Sequence, residues 1–209
     1  MTDVMGQAGM AEAAVRYLRS NRTPAPEPVE ALPRPDLRCV AEDERAPLDP
    51  REFRRVLGTF ATGVAVVTAP PATDGGSPAG FACQSFTSLS LAPPLVAFMV
   101  GRTSSTWPRI ARAGVFCVNV LSAGQGELCR AFAVSGADKF AGVAYDAAPV
   151  SGSPRLTGAV AWIDCAIHAV HTGGDHLIVV GRVNALGTAD DPSEPLLFHR
   201  GRFTRPAHP

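Results

Sequence analysis

AVAWIDCAIHAVHTGGDHLIVVGRVNAL, residues 159–186, is the stretch that indicates most clearly how this chain folds. Two runs rich in β-branched and other apolar residues, 159–171 and 176–186, flank a short segment that contains Gly173 and Gly174. Glycine adopts without strain the positive φ angles that tight hairpin turns require. The stretch therefore predicts two long antiparallel strands joined by a tight turn.

Shorter strands are predicted on both sides of this hairpin, because β-branched or apolar runs alternate with turn residues. These strands are placed at 64–68, 79–90, 95–100, 115–121 and 195–199. Short helices fit 104–112 and 123–133. Many short strands with few helices predict a mainly β fold, an antiparallel barrel with a few short peripheral helices.

A helix start precedes the first of these strands. Asp49 can act as the N-cap, Pro50 suits the first helical position, and Glu52 falls at the reciprocal position of a capping box. One apolar helix face is predicted to follow, formed by Phe53, Val56, Leu57 and Phe60. Because residues 1–47 are rich in proline and charge, we predict a largely flexible N-terminal extension ahead of a folded domain at 48–205.

Composition excludes several classes of function. Lys plus Arg and Asp plus Glu both number 19 in the 209 residues, so binding to nucleic acid or to an anionic membrane is not expected. The five cysteines lie far apart without a C-x-x-C pair, which argues against disulfides and a metal site. The chain shows neither a signal-peptide pattern nor an apolar run of membrane-spanning length, which favours the cytoplasm.

Two segments combine hydroxyl groups and glycine in a way that suits a ligand. The corner at 59–64 could bring a hydroxyl and a glycine-freed backbone to a ligand, although a plain corner explains it better. Segment 80–90 is rich in hydroxyls beside an apolar strand and fits either a polar ligand edge or an exposed strand face. Strand alternation would separate its residues into two faces, Phe86, Ser88 and Ser90 on one and Ser85, Thr87 and Leu89 on the other.

Two further segments could bind an anion or a metal. Residues 101–107 lead into a helix whose first amides attract phosphate, although a Ser or Thr N-cap is equally consistent. His176 lies at the mouth of the long hairpin, whereas His168 and His171 should face opposite sides of their strand, so a zinc triad is not predicted. Phosphate-loop, zinc-protease, nucleophile-elbow and dinucleotide-fold motifs are missing from the sequence.

Seven segments taken in order resemble the flavin reductase family, the reductase components of two-component flavin-dependent monooxygenases. They are FATGVAVVT, SFTSLSLAPPLVAF, SSTWPRI, FCVNVLS, DKFAGV, GDHLIVVGRV and PLLFHRGRF, and the resemblance as a whole runs from about Arg51 to Phe203. The resemblance implies a split β-barrel that forms a homodimer and binds FMN or FAD near the subunit interface. It also implies NADH or NADPH as electron donor and a partner monooxygenase that receives the reduced flavin.

Flavin contacts are implied by position within these segments. The implied residues are Thr59, Thr62, Gly63, Phe81, Ala82, Cys83, Gln84, Ser85, Phe86, Thr87, Ser88, Ser90, Arg102, Ser104, Ser105, Asn119, Lys139, Phe140 and Phe203. His176 matches the GDH histidine and would position the nicotinamide without serving as an obligatory base. Cys83, Gln84 and Phe203 depart from the residues that are usual in the family at these positions.

The implied activity is that of an NAD(P)H:flavin oxidoreductase. Hydride passes directly from nicotinamide to flavin when the two rings stack, so the protein needs no nucleophile and no required base. Two alternatives remain at this point: a flavin-binding protein without turnover, and a split-barrel FMN oxidase of the pyridoxine phosphate type. A barrel alone does not distinguish among them.

Overall fold

Twelve strands and three short helices make up the described part of the computed structural model, which comprises residues 48–71, 76–136, 138–189 and 193–207. The strands are β1 Thr62–Gly63, β2 Ala65–Ala69, β3 Ala79–Cys83, β4 Thr87–Leu91, β5 Pro94–Gly101, β6 Val115–Val120, β7 Tyr145–Ala147, β8 Pro154–Leu156, β9 Ala161–Gly173, β10 His176–Thr188, β11 Leu197–His199 and β12 Arg202–Thr204. The helices are α1 Pro50–Leu57, α2 Trp107–Ala113 and α3 Gly126–Ala133. The predicted extension 1–47 lies outside the described residues.

The largest sheet has seven strands in the order β3-β2-β6-β9-β10-β5-β4, and all neighbouring pairs are antiparallel. Two smaller sheets contain β1-β11-β12 and β7-β8. The predicted mainly β, antiparallel split barrel with short helices is therefore confirmed. None of the described helices is both long enough and apolar enough to cross a membrane.

The long hairpin forms as predicted, and β9 and β10 lie at the centre of the sheet. Its ladder contains a bulge at His168, because Val180 pairs with Ala169 while Gly181 pairs with Ile167. A bulge interrupts strand alternation, so the argument that His168 and His171 face opposite sides does not hold here. Both histidine side chains are exposed.

Strand β2 is buried on both faces, which explains why the VAVVT run shows no polar alternation. Val67 packs in one core cluster with Phe98 and Phe116. Val66 packs in a second cluster with Phe132. The strand therefore separates two parts of the core.

The predicted strand 79–90 is two strands, β3 and β4, separated by residues 84–86. Within β4 the register shifts, because Ser88 pairs with Val96 and Ser90 pairs with Leu95. Leu89 is the extra residue of this bulge. The predicted division of 85–90 into two alternating faces is therefore wrong.

Helix α1 begins as predicted but does not bury its apolar face. Asp49 Oδ1 accepts a hydrogen bond from the Arg51 N–H at 2.9 Å, while Glu52 pairs with Arg55 at 2.6 Å instead of completing a capping box. Phe60 lies beyond the end of the helix. The exposed fractions of the predicted face are 52% for Phe53, 49% for Val56, 55% for Leu57 and 76% for Phe60.

Candidate functional site

Between β3 and β4, the side chain of Ser85 takes the place of a backbone hydrogen-bonding partner for strand β5. Ser85 Oγ donates to the Met99 carbonyl at 3.0 Å and accepts from the Met99 N–H at 3.0 Å. Continuing the register of Thr87 with Ala97 would place Ser85 opposite Met99, so the hydroxyl stands where a backbone partner would. In the described chain, residues 84–86 form no backbone–backbone hydrogen bond. Peptide groups of this segment are thus left outside the ladder.

An apolar cavity of about 620 Å³ lies against this segment. Its lining consists of Phe53, Arg54, Leu57, Gly58, Phe60, Thr62, Gln84, Ser85, Phe198 and Gly201. Thr62 Oγ1 is buried and has no hydrogen-bond partner among the described residues. Aromatic and aliphatic walls with a few polar groups suit a flat ring that carries polar edges. Three of the predicted flavin contacts, Thr62, Gln84 and Ser85, meet here.

A second cavity, of about 520 Å³, has a basic lining and is called the basic cavity below. It is lined by Ser77, Pro78, Gly80, Ser105, Thr106, Arg109, Gly136, Asp138, Lys139 and Phe140. Lys139 Nζ donates to the carbonyls of Phe132 at 2.9 Å and Gly80 at 3.2 Å. Burial and, to a smaller degree, the nearby Arg109 lower the pKa of Lys139. A cation held in this way suits a phosphate group.

Strand β3 connects the two cavities. Gly80 lines the basic cavity and Gln84 lines the apolar cavity, so four residues of extended chain separate them. At about 3.3 Å a residue, this separation is about 13 Å. Such a distance is comparable with that between the ring and the phosphate of an extended flavin mononucleotide.

His176 lies beside the loop that leads into α2. It pairs with Gly101 across β10 and β5, and the Arg102 N–H donates to the Asp175 carbonyl at 2.9 Å. His176 Nδ1 lies 2.7 Å from Asp175 Oδ1, and this contact lowers the pKa of the Asp175 carboxyl. Asp175 thereby restrains the exposed imidazole next to the loop.

Residues 101–107 were predicted either to bind an anion or to cap a helix, and two neighbouring serines differ in this respect. The N-cap residue of α2 is Thr106, whose side chain forms no capping bond, and Ser104 Oγ accepts the first helical N–H, that of Trp107, at 3.2 Å. Ser105 is exposed and lines the basic cavity. Arg102 is exposed next to both. Ser104 thus satisfies one amide at the start of α2, while Ser105 is placed to meet an anion.

Asn119, one of the predicted flavin contacts, lies in the interior of the protein. It is fully buried, and its Nδ2 donates to Thr68 Oγ1 at 3.1 Å and to the Val66 carbonyl at 3.2 Å. Its Oδ1 accepts the Leu156 N–H at 2.7 Å. These bonds join β6 to β2 and β8, and they leave no accessible surface for a ligand.

Several aromatic residues in the predicted set pack inside the protein. Phe81 lies 5.9 Å from Phe98, and Phe203 lies 5.6 Å from Phe198, between ring centroids. Phe86 packs against the first core cluster, and Ala82 against the second. Phe140 both packs against Phe132 and lines the basic cavity. Among the predicted contacts Phe81, Ala82, Phe86, Phe140 and Phe203, only Phe140 borders either of the two cavities.

The remaining predicted residues surround the cavities or their supporting strands. Cys83 is buried, its Sγ lies 3.4 Å from Ser85 Oγ, and burial raises the pKa of its thiol. Gly63 and Ser88 are exposed on β1 and β4. Thr59 donates to the Val56 carbonyl at 2.6 Å, and Ser90 is half-buried on β4. Within the described chain, no group of three or more His, Cys, Asp or Glu residues could hold a metal ion.

Comparison with known proteins agrees with this geometry. Residues 57–207 match the model of a family described as "Flavin reductase like domain". The chain belongs to the flavin reductase-like family. The reductase subunit HsaB of a flavin-dependent monooxygenase from Rhodococcus jostii is 50% identical over 75% of this chain and 78% of its own length. A flavin reductase from Pseudomonas putida is 49% identical over 79% and 95%, respectively.

Solved structures of other flavin reductase-like proteins share the fold. Nitrilotriacetate monooxygenase component B from Mycobacterium thermoresistibile superimposes with a TM-score of 0.71 at 45% identity, covering 75% of this chain and 86% of that one. The NADH:FAD oxidoreductase SgcE6 of Streptomyces globisporus, in complex with NAD and FAD fragments, gives 0.70 at 41% identity, covering 78% and 98%. Members of this family thus bind both cofactor classes that the sequence predicts.

Some residues of the site were not predicted. Arg109 reaches back to the Ser77 carbonyl at 2.6 Å and adds a second cation to the basic cavity, but its helical position alone gave no signal. Phe53 and Leu57 were assigned to an apolar helix face, yet that face lines a cavity. The periodicity that identified them does not distinguish a core from a binding surface.

Proposed function

We propose that this chain is an NAD(P)H:flavin oxidoreductase that transfers hydride from a nicotinamide to FMN or FAD and supplies reduced flavin to a partner monooxygenase. The observation that best supports this is the pair of cavities at the two ends of β3. One has the apolar walls that a ring requires, and the other has the cations and hydroxyl that a phosphate requires. Relatives named NADH-dependent FAD reductase favour NADH and FAD among the alternatives.

The residues of the basic cavity would hold the flavin phosphate. Lys139 and Ser105 offer an ammonium and a hydroxyl there, and Arg109 adds positive charge while it binds the Ser77 and Pro78 carbonyls. Charge-assisted hydrogen bonds to phosphate are stronger than neutral ones. This end of the site would therefore account for most of the preference for FMN over riboflavin.

The residues of the apolar cavity would hold the flavin ring. When bound, the flavin supplies the hydride acceptor and the protein supplies orientation. Ser85 keeps the 84–86 segment outside the ladder, so its peptide groups can meet the polar ring edge, while Phe60 and Phe198 would shield the bound ring from water. Orientation and exclusion of water suffice because hydride transfer between stacked rings needs no acid or base.

His176 would position the nicotinamide. Its imidazole is exposed at the mouth of the β9–β10 hairpin, beside Gly101, and is restrained by Asp175. An exposed, hydrogen-bonded ring in this place can orient a carboxamide without transferring a proton. The four described cysteines are buried and unpaired, and none takes part in this chemistry.

A second copy of the chain would cover the apolar face of α1. Large apolar side chains are exposed on this element, including Phe53 and Leu57, and they border the apolar cavity. Contiguous exposed apolar surface commonly marks an interface between proteins. The homodimer would therefore close the ring-binding cavity, and the enzyme would work in the cytoplasm beside its monooxygenase.

The decisive experiment is steady-state oxidation of NADH and of NADPH with FMN, FAD and riboflavin supplied in turn. We expect flavin-dependent oxidation well above the rate without enzyme. If no combination exceeds that rate, the proposal fails. Tight flavin retention without turnover would instead support the non-enzymatic flavin-binding alternative.

A matched pair of variants locates the phosphate end of the site. Lys139→Met should raise KM about tenfold for FMN and FAD and leave KM for riboflavin unchanged, because riboflavin has no phosphate. Arg112→Gln removes an exposed cation of α2 that lines neither cavity and should change none of these constants.

A further inference from the structure

A third concavity, of about 440 Å³, adjoins the apolar cavity on the side of α1. It is lined by Arg54, Arg55, Gly58, Thr59, Arg200 and Gly201, and it is called the arginine cleft below. Arg54, Gly58 and Gly201 also line the apolar cavity, whereas no lining residue is shared with the basic cavity. The cleft therefore adjoins the ring-binding space and has walls separate from those of the basic cavity.

Two of its three guanidinium groups have no anionic partner among the described residues. Arg55 is held by Glu52 through contacts at 2.8 Å and 2.6 Å, which raise the pKa of Arg55. Arg54 and Arg200 form no ion pair within the described chain. Two uncompensated cations facing one cleft attract an anion with two charged groups.

The backbone fixes Arg200 at this cleft in an unusual conformation. Arg200 has a φ of +48°, and no other non-glycine residue of the described chain has a positive φ. Its N–H donates to the Gly58 carbonyl at 2.9 Å, which ties the β11–β12 turn to the end of α1. Asn or Asp adopts this conformation more easily than Arg, so the position of this side chain is set against local preference.

We propose that the arginine cleft binds the pyrophosphate of the nicotinamide dinucleotide, with Arg54 and Arg200 as its ligands. This inference rests on the proposed function. A flavin whose ring lies in the apolar cavity and whose phosphate lies in the basic cavity leaves the cations of the arginine cleft unused. The other molecule that must meet the ring is the dinucleotide, and its phosphates are the anions available to this cleft.

The test uses ADP-ribose, which contains the pyrophosphate but no nicotinamide, together with steady-state kinetics in saturating FMN. Arg54→Gln and Arg200→Asn remove the charges, and Asn suits the positive φ at position 200. Isothermal titration calorimetry should show ADP-ribose binding to the wild type and about tenfold weaker binding to each variant. KM for NADH should rise by a similar factor while kcat is retained.

Two controls keep the inference separate from a general loss of function. Arg51→Gln removes an exposed cation from the same helix but not from the cleft, and it should leave ADP-ribose binding unchanged. Reduced nicotinamide riboside carries no phosphate, so its KM should be the same in wild type and variants.

Three results would overturn the inference. These are unchanged ADP-ribose binding in both variants, an equal loss with reduced nicotinamide riboside, or a rise in KM for FAD without one for NADH. The last result would assign the cleft to the distal phosphate of FAD. In each case the wild type would still oxidise NADH with FMN, whereas the absence of that oxidation would instead refute the proposed function.

Discussion

Ser85 and Met99 are joined by two hydrogen bonds through a single hydroxyl, which donates to the Met99 carbonyl and accepts from its N–H at 3.0 Å each. A serine side chain thus completes the edge of β5 where β4 has not yet begun. The strand keeps its partner, and the 84–86 segment stays outside the sheet. Removal of this hydroxyl should therefore affect the fold as well as the site.

Ser85→Ala should lower the free energy of unfolding by about 1–2 kcal/mol, because the Met99 peptide loses both partners and water replaces them only in part. Ser85→Thr retains a hydroxyl and should recover most of the loss. Ser88→Ala is the matched control, since no hydrogen bond of the Ser88 hydroxyl is found within the described chain, and it should change stability by less than about 0.5 kcal/mol. Urea denaturation measures all three. Equal effects at both serines would show that the two hydrogen bonds between Ser85 and Met99 do not stabilise the fold.

Lys139 should make phosphate recognition dependent on pH. Its pKa lies below the usual 10.5, so the ammonium deprotonates earlier on the alkaline side than an exposed lysine does. Because the phosphate is attracted by the charged form, the affinity ratio of FMN over riboflavin should fall as pH rises through that lowered pKa. Fluorescence titration of both flavins at alkaline pH gives this ratio.

Lys139→Arg is the control for this pH dependence. Arginine keeps its charge at all pH values used, so the ratio of FMN to riboflavin affinity should stay level. The stability of the ligand-free protein should depend on pH in the opposite direction to the affinity ratio. Since the unfolded chain binds the proton more tightly than folded Lys139, stability should rise with pH between the lowered pKa and 10.5. A ratio that falls equally in the arginine variant would exclude Lys139 as the titrating group.

His176→Ala should raise KM for NADH about tenfold and lower kcat by less than about threefold, because the imidazole orients the donor without transferring a proton. Asp175→Asn should have a smaller effect in the same direction, since it weakens the restraint on the ring. His171→Ala removes another exposed histidine of the same hairpin and should change neither constant. Loss of turnover at saturating NADH would show that His176 has a chemical role.

Gly181→Ala should destabilise the protein by about 2 kcal/mol or more, because overpacking forces neighbours to move. A Cβ at this position would collide with the buried ring of Phe116. Gly124→Ala is the control, since nothing lies within 4 Å of its added Cβ. Thermal unfolding compares the two. Similar melting temperatures would mean that Phe116 moves aside at little cost.

Local patterns predicted the strands well and the site only in part. The VAVVT run and the 159–186 hairpin are stretches of strong β preference bounded by glycine, so neighbouring residues suffice to identify them. The Leu89 bulge depends on how β4 meets β5, which is a pairing between distant residues. The same limit applies to Asn119, whose partners Val66 and Leu156 are far from it in sequence.

The site residues were also predicted where a local motif identifies them and missed where only the fold brings them together. Ser105 and Lys139 were identified by motif and do line one cavity. Arg109, in contrast, joins them only through the fold. Helix α1 was recognised by its apolar period, but a period cannot show whether that face meets a core, a ligand or another subunit. Whether this face is exposed depends on how the chain packs in three dimensions, which the local sequence does not show.

Burial of β2 on both faces has a consequence for mutational tolerance. In a complete substitution scan scored for folding, positions 64–69 should reject nearly every polar residue, because neither side of the strand offers an outlet to water. Positions 87–91 lie on an edge strand and should accept many. If the same library is scored for flavin turnover, only the second segment should become restrictive. The difference between the two maps would therefore outline the cofactor's footprint without any bound ligand in view.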